Sequence, residues 1–190
     1  MQNALTFLLS SLADLWIITF VMRLMLAWSR ADFRNPLAQF VVKVTNPLVM
    51  PARRVIPSIG SLDTATLVVL LVLQVAVTAL LASVGCVGSG DLGHIVLLGL
   101  LRLVHLILST FTFFIFIYVI ASWVAPGGGP NPAISMLSGV VEPVLRLLRR
   151  VIPLIGGFDL SPVFALLAIQ ALKIALPTAT RVGPLFCPGL

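Results

Sequence analysis

Charge is what this chain has least of. Only 9% of its 190 residues are Asp, Glu, Lys or Arg, against roughly 25% in soluble domains. A surface that poor in charge is not built to face water. Acidic residues number six, and cysteine and histidine two each. No paired catalytic carboxylates, metal-ligand cluster, phosphate loop or Cys/His couple can be assembled from them, and two lone histidines, His94 and His105, do not make a metal site. The reading is of a non-enzyme without cofactors. Lys and Arg are absent from Met1 to Ala13, which argues against a cleavable signal peptide and for a retained span.

What the chain has instead is apolar length. Hydrophobic residues make up 59% of it and its mean hydropathy is +1.15. Windows of about 20 apolar residues, enough to cross a bilayer, fall near 8–28, 64–84, 98–123 and 161–176. The fourth is short and ends at Pro177.

The chain also repeats itself. Arg53-Arg54-Val55-Ile56-Pro57 returns as Arg149-Arg150-Val151-Ile152-Pro153. The same offset of 96, from 53 to 149, relates Asn35 to Asn131, Pro36 to Pro132, Pro47 to Pro143, Gly60 to Gly156, Asp63 to Asp159 and Gln74 to Gln170. Trp28 maps onto Trp123 with one residue of slippage. An internal repeat decides architecture: residues 1–84 form one copy, 85–97 an outer linker and 98–190 a second copy. The expected fold is an all-α membrane protein with four transmembrane helices in two parallel repeats. A pseudo-two-fold axis along the membrane normal would relate the repeats, each with an amphipathic interfacial segment.

Most of the basic residues lie in two loops: Arg30, Arg34, Lys43, Arg53 and Arg54, then Arg146, Arg149 and Arg150. The loop from Gly85 to Gly93 has none. The positive-inside rule makes the two basic loops cytoplasmic and puts both termini outside. Arg102 and Arg181 fall on or near the outer side. The net charge of +6 therefore answers to the membrane and not to nucleic acid. Trp28 and Trp123 fit an aromatic belt. Cys86 and Cys187 fall outside, as a bridge or as two free thiols.

Asn131 and Pro132 suit the start of a short helix, and a second is expected to start at Pro143. Its apolar Val144, Leu145, Leu147, Leu148, Val151 and Ile152 oppose Arg146, Arg149 and Arg150, as in a helix lying in the interface plane. There each Arg gains roughly 1 kcal/mol from anionic headgroups. The basic residues either bind a defined lipid or partner, or simply obey positive-inside sorting. In the first copy Pro51 predicts a break near Met50. Asp63 and Asp159 stand before the next apolar runs. They cap those helices, or pin Arg54 and Arg150, or do both.

Polar residues inside the spans complete the candidate set. Gln74 and Gln170 lie about 16 Å beyond their aspartates, near the midplane, as helix glue bonding across the axis or as the lining of a pathway. Asp14 and Lys173 are each about 21 Å from the inner interface, counted from Trp28 and Asp159. They are proposed as an ion pair, with His105 as the other candidate for Asp14. Arg23 and Arg102 are expected to snorkel, to the inner and outer interfaces.

A Trp-ending span, Asn-Pro, a second Pro, Arg-Arg-x-Ile-Pro, Gly, and Asp159-Leu160-Ser161-Pro162 before an apolar helix resemble the YggT (YlmG) family. The likeness covers nearly the whole chain as two tandem family units. The first copy departs from it, with Asp63-Thr64-Ala65-Thr66 in place of Asp-Leu-Ser-Pro. The resemblance implies an integral inner-membrane protein without established catalysis. It associates bacterial relatives with osmotic and salt tolerance, potassium uptake or cell division, and chloroplast relatives with cytochrome maturation and nucleoid organisation. Two functions follow as expectations. One is a non-enzymatic scaffold or assembly factor whose basic faces engage anionic lipid headgroups or a membrane-protein partner. The other is a subunit of an ion, potassium, transport or channel system, which four spans would form only as a homo-oligomer.

Overall fold

The computed structural model describes residues 2–29, 33–58, 63–84, 91–124, 131–150 and 159–176. They form α1 (Gln2–Trp28), α2 (Pro36–Arg53), α3 (Thr64–Val84), α4 (Leu92–Val124), α5 (Pro132–Arg149) and α6 (Ser161–Ala175). Among the described residues there is no strand. Three helices among the described residues are long and apolar enough to cross a membrane, over Phe7–Trp28, Thr64–Ser83 and Leu92–Ser122. The apolar α6 has 15 residues, about 22 Å of helix. Cys86 and Cys187, and the turns after each Arg pair at 59–62 and 151–158, lie outside the described residues, as does residue 181. So does the side chain of residue 123.

Each interfacial segment is one helix, where two short ones or a break were expected. Asn35 Oδ1 accepts from the Leu37 N–H and Asn131 Oδ1 from the Ala133 N–H, both at 2.9 Å, and Pro36 and Pro132 sit in the first turns. Pro47 and Pro51 in α2, and Pro143 in α5, do not break the helices. All three are exposed, so the rings stand on the outward face and leave the packed inward face of each helix undisturbed. The inward faces bury Ala38, Val41, Thr45 and Val49 in α2, and Met136, Val140, Val141 and Leu145 in α5. Spacings of three and four residues make that stripe. It packs into one core with Ile17, Phe20, Leu26, Leu70 and Ile115.

Within each copy the two long helices pack together, α1 on α3 and α4 on α6, and the interfacial helix touches both. Between copies α3 runs along α4, α1 touches α4 and α5, and α2 touches α5. Gly99 brings α3 and α4 close, since a Cβ there would meet Thr78 Oγ1 and Val75 Cγ2 at 3.4 Å. Packing about a two-fold axis would also join α6 to α1. Those helices do not touch, so the α3–α4 contact has no two-fold counterpart, although α1 meets α4 and α2 meets α5.

α4 also starts earlier than expected. The Asp91 carbonyl accepts the N–H groups of His94 and Ile95, so helix replaces the second half of the expected 85–97 linker. Arg102 then lies ten residues, about 15 Å, along this helix from Leu92.

Candidate functional site

The repeated residues converge at two elbows, where each interfacial helix meets the start of the next long one. In the first elbow Asp63 precedes α3. Its Oδ1 accepts the Thr66 N–H at 3.3 Å and its Oδ2 the Thr66 hydroxyl at 2.6 Å, an N-cap arrangement. The same Oδ2 accepts Arg53 Nη2 at 2.5 Å and lies 3.6 Å from Arg23 Nε. Arg23 Nη1 reaches across to Thr45 Oγ1 at 2.6 Å and Asn46 Oδ1 at 2.9 Å. Arg23 is thus buried, where snorkelling was expected.

The second elbow repeats the clamp with other neighbours. Arg149 Nε donates to Asp159 Oδ2 at 2.7 Å, and Nη1 to Glu142 Oε1 at 2.6 Å. Asp159 Oδ1 accepts the Ser161 N–H at 2.9 Å. Asp63 is therefore both cap and pin, while Asp159 pins Arg149 and accepts the Ser161 N–H from one residue before the N-cap Leu160. The pinned arginines are Arg53 and Arg149, however, and not Arg54 and Arg150. The helix period explains this: Arg53 and Arg149 follow the fully buried Val49 and Leu145 by four residues, on the same helix face. Arg54, Arg146 and Arg150 turn outward and are exposed.

The elbows differ in charge. Arg23 and Asn46 of the first correspond to Tyr118 and Glu142 of the second, by the offsets of 95 and 96 that relate the copies. One elbow has two guanidiniums and a carboxylate; the other has one guanidinium and two carboxylates. Burial disfavours the charged form of Asp63, but donation from Arg53 and Thr66 outweighs it and holds the carboxyl below the usual range. For Asp159, burial is likewise outweighed by Ser161 and Arg149. Arg149 is pushed above its ordinary value: its burial is overcome by Asp159, Glu142 and Tyr118.

Beside the first elbow a cavity of about 750 Å³ is lined by Arg23, Arg53, Asp63, Gln39, Phe33 and Ile56. Among the described residues no group of three or more His, Cys, Asp and Glu is placed to hold a metal.

Inside the membrane the expected partners change. Asp14 pairs with Arg102, Nη2 to Oδ1 at 2.7 Å, and not with Lys173 or His105. Because α1 and α6 do not touch, Lys173 is out of reach. His105 Nδ1 lies 3.1 Å from the Leu101 carbonyl.

Gln74 and Gln170 do not meet, since α3 and α6 are not in contact. Gln74 is 1% exposed, with neither amide atom bonded. Gln170 is exposed and borders a groove of about 520 Å³ between α4 and α6, together with Ser109, Thr112 and Lys173. Sequence reasoning had no partner for Arg102 and Arg23. The signal was their depth within apolar runs, which by default asks for one.

The duplicated Asn-Pro, Arg-Arg and Asp elements stand at equivalent places in two three-helix units, and the comparisons agree with that division. The CCB3/YggT family matches the chain twice, over residues 2–84 and 97–179. The chain belongs to the CCB3/YggT family. It is 35% identical over 194 residues to the uncharacterized protein YggT of Escherichia coli K12, covering 100% of this chain and 98% of that one. An uncharacterized protein of Pseudomonas aeruginosa is 39% identical over 175 residues, covering 92% and 88% of the two chains. Another from Vibrio alginolyticus, named for its place in the proC 3′ region, is 40% identical over 186 residues, covering 97% and 98%. No solved structure matches this YggT-family chain.

Proposed function

We propose that this family member is a non-enzymatic scaffold or assembly factor of the bacterial inner membrane. α6 serves as a fourth, short span, both elbows face the cytoplasm, and both termini lie outside. The observation that carries the reading is the duplicated clamp. In each copy the last arginine of an amphipathic helix is tied to the aspartate that starts the next long helix. This holds the helix flat while Arg54, Arg146 and Arg150 stay exposed for anionic headgroups or an acidic protein surface. The cavity beside Arg23 and Arg53 suits a headgroup phosphate, because guanidiniums bind phosphate with paired donors. By resemblance the role is in osmotic or salt stress.

The test is to replace Arg54, Arg146 and Arg150 together with Gln, which leaves the clamps intact. Impaired growth at high salt and loss of the neighbours captured by cytoplasmic crosslinking are expected. Unchanged growth and unchanged neighbours would retire the scaffold reading.

A second reading, a subunit of an ion transport system, is favoured by Gln170 and Lys173 at the edge of the groove between α4 and α6. Potassium flux into vesicles carrying the purified protein, abolished by Gln74→Leu with Gln170→Leu, would put it first. Absence of flux removes it.

A further inference from the structure

The junction between the copies is used once and left open once. In the first copy Asp14, Ile17, Val21, Leu70 and Gln74 line the groove between α1 and α3. α4 closes this groove: Arg102 binds Asp14, and Gly99 lies against Val75 and Thr78. Ile17, Val21, Leu70 and Gln74 are accordingly between 0% and 1% exposed. The same five places in the second copy are Ser109, Thr112, Phe116, Leu166 and Gln170. Four of these, with Leu166 among them, border the open groove beside Lys173, and Phe116 does so while 54% exposed. An amide on the apolar face of a span is costly, and among the described residues no helix covers Gln170.

The covering helix has a counterpart too. α4 turns Gly99, Leu103 and Thr110 to the first copy, and Leu103 and Thr110 are 4% and 5% exposed. The corresponding residues of α1 are Ala4, Leu8 and Leu15. Leu8 and Leu15 are 57% and 63% exposed, so the face that would close a groove is itself unoccupied.

We infer that the chain binds a second copy of itself head to tail, with α1 of one molecule lying in the α4/α6 groove of the next. The contact repeats between chains the step already taken within one chain. It is heterologous, joining two different surfaces. It does not depend on the scaffold reading: a scaffold or a channel would both use it.

Two tagged forms of the full chain test it, both carrying Cys86→Ser and Cys187→Ser. One has Ala4→Cys, the other Ala171→Cys, the pair equivalent to Gly99 with Val75. Both sites are small and exposed, so the fold is undisturbed. Oxidation in native membranes should convert monomer into a disulfide dimer carrying both tags. Ala4→Cys paired with Val72→Cys, on the exposed side of α3, should stay monomeric. Only same-tag dimers would mean that like faces meet, and persistent monomer would mean that lipid fills the groove. Either result overturns the proposal.

Discussion

Arg102 on α4 holds Asp14 on α1 at 2.7 Å, so the first helices of the two copies are joined by charge inside the span. Neither residue is repeated at its equivalent position, where Phe7 and Ser109 stand. The pair therefore belongs to the junction and not to the repeated unit. Removing one partner strands the other: Arg102→Leu or Asp14→Leu should each lower stability by about 3 kcal/mol. The double replacement should recover most of that loss. Thermal unfolding of the four proteins in detergent completes the cycle.

The clamps predict a contrast within each Arg pair. Arg53→Gln and Arg149→Gln each remove charge-assisted bonds and should cost about 1–3 kcal/mol. Arg54→Gln and Arg150→Gln touch exposed side chains and should stay within about 0.5 kcal/mol. Thermal unfolding compares the four, and equal losses within a pair would contradict the assignment.

Acid should loosen both elbows. Asp63 and Asp159 are held below the ordinary carboxyl value, so the unfolded chain takes up their protons first as pH falls. Their contribution is complete above the unfolded value of about 3.9, and is lost as pH drops through the lower folded values. Melting temperatures followed from pH 6 down towards about 3 should fall across that window. Asp63→Asn with Asp159→Asn should flatten the slope while starting from lower stability.

Gln74 is buried with both amide atoms unbonded, and such a group costs about 1–3 kcal/mol. Gln74→Leu, close in volume, should raise stability by about 1 kcal/mol. Gln170→Leu, at an exposed position, should change it little. A stability loss at Gln74 would show that its amide has a partner.

Orientation has its own check. Cysteine at position 54 or 150, in a background lacking Cys86 and Cys187, should react with an impermeant maleimide only in inverted vesicles. Reaction in intact spheroplasts would reverse the topology.

Much of this was legible in the sequence because the repeat made each feature visible twice. The Asn-Pro caps, the amphipathic helices and the aspartates at the starts of α3 and α6 all follow from local chemistry. Pro47, Pro51 and Pro143 misled because proline disfavours a helix interior in general, whereas on the exposed face these rings leave the packed stripe of each helix intact. The choice of Arg53 over Arg54 turned on helix phase relative to Val49, which period alone could have supplied. The Asp14 partner was not legible. It depended on how the copies pack and on where α4 begins, and apolar runs mark neither.

The unequal elbows have an electrical consequence. Arg23 and Arg53 outnumber Asp63 by one charge, while Glu142 and Asp159 outnumber Arg149 by one. The contact of α2 with α5 sets these unequal clusters next to each other. Exposed Arg54 adds to the first, and exposed Arg146 and Arg150 turn the second positive overall. Salt confines such fields to about 8 Å at physiological strength, so only an immediate neighbour senses the difference between a clamped excess of guanidinium and one of carboxylate.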